Sequence, residues 1–143
     1  MDLLPQLLDF TRLQGDRSQI YSKLERGFDL FISGHASRDD FITLTNSAKD
    51  SFVLISKRIQ EIEASLKSDQ LPQNDAVAII RQIQSLEQTK LAKTVQRQML
   101  LTESTFGDRD FSSELPECED ILKSTVEKIN KALEELHSEM AEM

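Results

Sequence analysis

The residue types that most often do chemistry are sparse in this sequence and are not spaced for it. Neither His35 nor His137 has a second histidine at a metal-ligand spacing or an H-E-x-x-H context. Cys118 is the only cysteine, so neither a disulfide nor a cysteine-based zinc site can form within one chain. We therefore interpret both histidines as surface residues. Cys118, which falls on an apolar stripe, is interpreted as a buried, inert thiol.

Paired carboxylates do not form a catalytic arrangement either. Asp39 and Asp40 are adjacent in the sequence, as are Glu134 and Glu135. On a helix such neighbours diverge by about 100° and cannot clasp one substrate. The sequence also contains no G-x-x-x-x-G-K-[ST], G-x-G-x-x-G or G-x-S-x-G motif. Because the residues of an active site are missing, we predict that the chain is not an enzyme and uses no cofactor or metal.

Two small sets of residues could instead bind a ligand or a partner protein. Lys90, Lys93 and Arg97 are spaced to lie along one helix face, where a phosphate or an acidic partner could lie across them. We favour the interpretation that this basic face pairs with the acidic C-terminal segment. Phe106 and Phe111 lie in a polar segment, which is unusual for a purely solvated connection. These two rings either pack back onto the helices or contact a partner.

The charge distribution argues against nucleic acid as that partner. The chain has 17 basic and 25 acidic residues and a net charge of -8 at pH 7. Residues 1–101 contain 13 of each sign, whereas residues 102–143 contain 12 acidic and 4 basic residues. Affinity for a phosphate backbone depends on Lys and Arg releasing counterions, so an acidic chain is disfavoured. A direct nucleic-acid-binding factor that uses Lys90, Lys93 and Arg97 is the alternative to a protein-binding role.

The strongest pattern in the chain lies between residues 41 and 66. Apolar residues recur there at alternating steps of three and four: Phe41, Leu44, Ala48, Phe52, Ile55, Ile59, Ile62 and Leu66. This spacing predicts an amphipathic helix whose apolar face must pack against a partner. Similar stripes predict helices over about 5–32, 38–68, 75–101 and 116–141, with a loop at 102–115. The stripe of the third helix comprises Ala76, Ile79, Ile80, Ile83, Leu86, Leu91, Val95 and Met99.

Local signals indicate where these helices begin and end. Gly34 is typical of the residue that follows a helix C-terminus. Ser37 and Asp40 have the spacing of a capping box at the start of the second helix. Asn74 is predicted to cap the third helix, and Pro116 is predicted to start the fourth.

Together these features predict an all-α fold, an antiparallel up-down bundle of about four long amphipathic helices that forms one domain over residues 1–143. Gly27, one turn from Leu24 and Phe31, predicts close approach by a neighbouring helix. The alternative is a pair of extended hairpins that needs a partner to complete its core. Periodicity does not choose between a closed core and an apolar seam that binds another protein or a second copy of the chain.

The sequence also bears on the compartment. No apolar run approaches the ~20 residues of a membrane-spanning helix. The first ten residues lack the basic region that begins a signal peptide. With the single cysteine, these features predict an intracellular protein that does not contact a membrane.

Two runs of sequence resemble the Required for Excision 1-B domain family. The first is YSKLERGF at residues 21–28, preceded by Gln14 and Arg17, and the second is IQSLEQTKLA at residues 83–92. The similarity is spread over most of residues 10–101 and returns in the ending LEEL at residues 133–136. The resemblance implies a small helical protein without established enzymatic activity, linked to excision of ultraviolet-type DNA damage and working in the nucleus. We therefore predict an adaptor that binds a protein partner through an exposed helix face or through the segment with Phe106 and Phe111.

Overall fold

A computed structural model describes residues 3–68, 75–111 and 113–143 of the chain. Four helices occupy most of these residues: α1 (Leu4–Ile32), α2 (Arg38–Ser68), α3 (Asp75–Phe106) and α4 (Glu114–Ala141). The described residues contain no β-strand. The predicted all-α class with four long helices is therefore confirmed. The predicted cap Asn74 lies outside the described residues.

The connection between α3 and α4 is shorter than the predicted loop at 102–115. α3 continues to Phe106, and Gly107 closes it by donating its backbone N–H to the Glu103 carbonyl at 2.8 Å. The polar residues after 101 lack an apolar stripe, but they can still form helix; the Thr102 hydroxyl donates to the Gln98 carbonyl at 2.6 Å. α4 begins at Glu114, so Pro116 is the third residue of its first turn, where a backbone N–H has no helical acceptor.

The turn between α1 and α2 follows the local signals in the sequence. Gly34 has a φ of 82°, a left-handed conformation that glycine adopts without a steric penalty. At the start of α2, the Asp40 backbone N–H donates to the Ser37 hydroxyl at 3.0 Å. The Ser37 backbone N–H donates in return to the Asp40 carboxylate at 3.4 Å. Both the glycine terminus and the capping box are confirmed.

α1 and α2 pack together as a helical hairpin within the compact unit Met1–Pro72. Leu24, Ala48 and Phe52 are buried at the centre of one cluster, surrounded by Ile20, Tyr21, Phe41 and Leu44. The rings of Tyr21 and Phe52 lie 4.8 Å apart between centroids. A Cβ atom on Gly27 would overlap the Cδ2 atom of Leu44, so the predicted close approach at Gly27 is confirmed.

α3 and α4 form a second helical hairpin within the compact unit Gln73–Met143. α4 buries residues at helical spacing: Cys118, Thr125, Ile129, Ala132 and Leu136. This pattern agrees with the predicted amphipathic face of the fourth helix. The prediction that residues 1–143 form one domain stays a prediction. Among the described helices, none combines the length and apolarity that crossing a bilayer requires.

Candidate partner-binding site

The apolar stripe predicted for the third helix divides into a buried half and an exposed half. Ile79, Ile80 and Ile83 are at most 8% exposed. About two to four turns further along, the exposed fractions of Leu91, Val95 and Met99 are 37%, 44% and 60%. The first half of the stripe is therefore buried and its second half is exposed, a distinction that periodicity had left open.

The side of α3 that meets α4 explains this difference. Arg97 Nε lies 3.5 Å from Glu119 Oε2, and the Cys118 thiol donates to the Lys93 carbonyl at 3.3 Å. Both contacts join α3 to α4. Val95 and Arg97 are two positions apart, which places them about 200° apart around the helix. α4 therefore contacts the side of α3 opposite Val95. The apolar residues on the same side as Val95 remain accessible to solvent.

The exposed apolar residues continue to the end of the helix. Phe106, in the last turn of α3, is 54% exposed. Leu91, Val95, Met99 and Phe106 fall within an arc of about 80° when each residue advances about 100° around the helix. We call these four residues the α3 stripe. It extends over 15 residue steps, or roughly 22 Å at ~1.5 Å per residue.

A groove adjoins the α3 stripe at the end of the hairpin. Its volume is about 290 Å³, and its lining comprises Ala92, Val95, Gln96, Met99, Leu100, Glu103, Arg109 and Phe111. Val95 and Met99 thus belong both to the stripe and to the groove. Arg109 Nη1 lies 3.9 Å from Glu103 Oε2, so a surface ion pair joins two of the polar residues that line it.

The two phenylalanines singled out in the sequence have different environments. Phe111, in the connection, packs back beside α3 and is half-buried in the lining of the groove. Phe106 belongs to α3 and exposes much of its ring. The structure therefore brings Phe111 together with Val95 and Met99, neither of which the sequence identified as a contact residue. Partner binding by Phe106 and Phe111 stays a prediction.

Three of the four basic residues of α3 lie on the side of the helix that meets α4. Lys90, Lys93 and Arg97 are all half-buried. Arg97 pairs with Glu119, as described above, and Lys93 Nζ donates to Gln96 Oε1 at 3.0 Å. The Arg97–Glu119 pair is of the kind expected between a basic face and the acidic C-terminal segment. Phosphate binding by the three cations stays a prediction.

Cys118 occupies the interface between α3 and α4 and is 2% exposed. Burial raises the pKa of its thiol because a thiolate would lose its hydration. The positive charge of Lys93 opposes this effect, Glu119 adds to it, and Arg97 opposes it more weakly. The thiol therefore stays protonated at neutral pH, in agreement with its interpretation as buried and unreactive.

The histidines lie at the surface, as predicted. His35 and His137 are both exposed, and His35 Nδ1 lies 2.8 Å from the Ser33 hydroxyl. Within the described ranges, no three His, Cys, Asp or Glu side chains are grouped so that they could hold a metal ion. The absence of a cofactor stays a prediction.

The fold and this surface define a class of protein: a small all-α protein built from helical hairpins, with an exposed apolar helix face. The model of a family described as DNA repair REX1-B matches residues 5–101, and the chain belongs to that family. The match includes α1, α2 and the part of α3 that carries Leu91, Val95 and Met99. No curated protein and no solved structure matches the chain. Family membership associates the chain with DNA repair.

Proposed function

We propose that this chain is a non-enzymatic accessory protein of DNA excision repair that acts in the nucleus by binding another protein. Family membership supports the link to repair. The observation that carries the binding role is the α3 stripe, whose four apolar residues are 37–60% exposed along one helix face. Contiguous apolar surface of this kind marks interaction sites on soluble proteins.

The geometry of the stripe favours a helical partner. Its anchors recur at helical spacing over about four turns, so a second amphipathic helix lying alongside could match them with its own apolar residues. The adjoining groove of about 290 Å³ offers space for one or two large side chains of that helix. Removing apolar area from water stabilises such a complex by about 25 cal/mol per Å² before the entropy of association is subtracted.

The experiment that tests this function uses cells from which the gene has been deleted. The cells are irradiated with ultraviolet light, and the removal of photoproducts is measured after re-expression of the wild-type chain or a variant. We expect the wild-type chain to restore removal. The double variant Val95→Asp/Met99→Asp should fail to restore it, because two charges on the stripe oppose apolar docking.

A matched control tests whether the effect belongs to α3. Val53 and Leu54 on α2 are 60% and 63% exposed, comparable to Met99. Val53→Asp/Leu54→Asp should therefore restore removal like the wild-type chain. Full restoration by the α3 variant would show that the stripe is not required. No effect of the wild-type chain on photoproduct removal would overturn the proposed role in excision repair.

A further inference from the structure

We propose that the partner of the α3 stripe is a basic amphipathic helix, one whose apolar anchors are flanked by Lys or Arg. This inference rests on the proposed function and names the chemistry of the partner. It follows from two properties of the hairpin end, the charge of its sequence and the dipole of α3. A third observation is that the described residues contain no sheet edge.

The segment around the end of the stripe is strongly acidic. Residues 103–120 contain one basic residue, Arg109, and seven acidic residues, a net charge of -6 from one positive and seven negative charges. The acidic residues are Glu103, Asp108, Asp110, Glu114, Glu117, Glu119 and Asp120. All seven are exposed, and two of them form ion pairs within the chain, Glu119 with Arg97 and Glu103 with Arg109. A charge density of this kind attracts cations on a partner and orients its approach.

The helix termini add to this charge. α3 has no basic residue in its last turn, so no cation on the helix itself offsets the negative end of its dipole beside Phe106. The positive end of the α4 dipole is met by Glu114 and Glu117 in its first turn. The electrostatic potential at the hairpin end, next to the apolar groove, is therefore negative.

Alternative partners fit these properties less well. A second copy of the chain would bring the same acidic segment and a further net charge of -8, so repulsion disfavours it. An extended peptide adds to a sheet edge, and the described residues contain no strand that could receive one. A helix with basic flanks satisfies both the apolar spacing and the charge.

The test measures binding of fluorescently labelled synthetic peptides to the full chain by anisotropy. The first peptide is a helix of about 20 residues with leucines at three-and-four spacing and lysines beside them. The second has the same leucines with glutamates in place of the lysines, and the third has the lysines and leucines in scrambled order. We expect the lysine-flanked helix to bind at least about tenfold more tightly than either of the others.

Two sets of variants locate the binding. Val95→Asp/Met99→Asp should weaken the lysine-flanked peptide at least about tenfold, while Val53→Asp/Leu54→Asp should leave it unchanged. Asp108→Asn/Asp110→Asn should weaken binding a few-fold and reduce its dependence on salt, because two of the attracting charges are removed.

Several results would overturn the inference. They are equal binding of the lysine-flanked and glutamate-flanked peptides, no binding of either, or binding that Val95→Asp/Met99→Asp does not change. Light scattering that shows a dimer dissociated by those substitutions would identify a second copy as the occupant. If any of these results accompanies loss of photoproduct removal in the α3 variant, the proposed function stands and only the class of partner is wrong. If the α3 variant restores photoproduct removal in full, the binding role of the stripe fails as well, and if the wild-type chain has no effect on removal, the proposed role in excision repair fails.

Discussion

Gly15 and Gly27 both interrupt α1, but they lie in different surroundings. A Cβ atom on Gly15 would meet no atom within 4 Å, whereas one on Gly27 would overlap the side chain of Leu44. Substitutions at the two positions can therefore distinguish the loss of helix stability caused by any glycine from the requirement for close helix packing.

We expect Gly15→Ala to raise the free energy of unfolding by about 0.5–1 kcal/mol, the difference in helix propensity between the two residues. Gly27→Ala gains the same propensity but must displace Leu44, so it should be less stable than Gly15→Ala by about 1–2 kcal/mol. Urea unfolding followed by circular dichroism measures both values. Adding Leu44→Ala to each variant provides the control. In the Gly27→Ala background this substitution relieves the overlap, so it should lower the free energy of unfolding less there than in the wild-type chain.

Cys118 provides a prediction about pH. Because burial raises the pKa of the thiol in the folded chain, the folded state holds its proton more tightly than the unfolded state does. The resulting contribution to stability is unchanged below the unfolded pKa of about 8.5 and is progressively lost as pH rises through the folded pKa. We therefore expect the wild-type chain to lose stability more steeply than Cys118→Ala as pH rises above about 8.5.

Urea unfolding at a series of pH values measures this difference. The two proteins differ only at residue 118, so the comparison isolates the thiol. Parallel pH profiles for the two proteins would contradict the prediction. A thiol reagent should also label Cys118 much more slowly in the native chain than in urea, since the native side chain is 2% exposed.

Within α3, one periodic sequence has two structural roles. Ile83 is fully buried, and Val95, twelve residues later on the same predicted stripe, is 44% exposed. We expect Ile83→Ala to lower the free energy of unfolding by about 2–4 kcal/mol, through lost burial and a cavity. Val95→Ala should change it by less than about 0.5 kcal/mol. Urea unfolding of both variants tests the difference, and a cost for Val95→Ala comparable to that for Ile83→Ala would show that the stripe is covered in solution.

The charge of the whole chain leads to a prediction about DNA. With a net charge of -8 and Arg97 paired to Glu119, the full chain should show no duplex binding in about 150 mM salt at micromolar concentration. Anisotropy of a labelled duplex measures this across a salt series. Binding that falls steeply with salt and is lost in Lys93→Gln/Arg97→Gln would instead support the nucleic-acid alternative.

Much of the fold is predictable from the sequence because its signals are local. The stripe of α2, the left-handed turn at Gly34 and the capping box of Ser37 and Asp40 each depend on residues a few positions apart. The family is also recognisable from short runs, since YSKLERGF and IQSLEQTKLA include a glycine and glutamates that helical periodicity does not require. These features determined the class of protein and its link to DNA repair.

The tertiary structure decided which of these surfaces remain accessible. Which half of the apolar stripe predicted for the third helix is buried depends on the side of α3 that α4 contacts. The contacts of Arg97 with Glu119 and of Cys118 with the Lys93 carbonyl define that side. The same packing placed Phe111 beside Val95 and left Phe106 exposed. Periodicity identifies an apolar face but carries no information about what covers it, because burial is set by residues distant in the sequence.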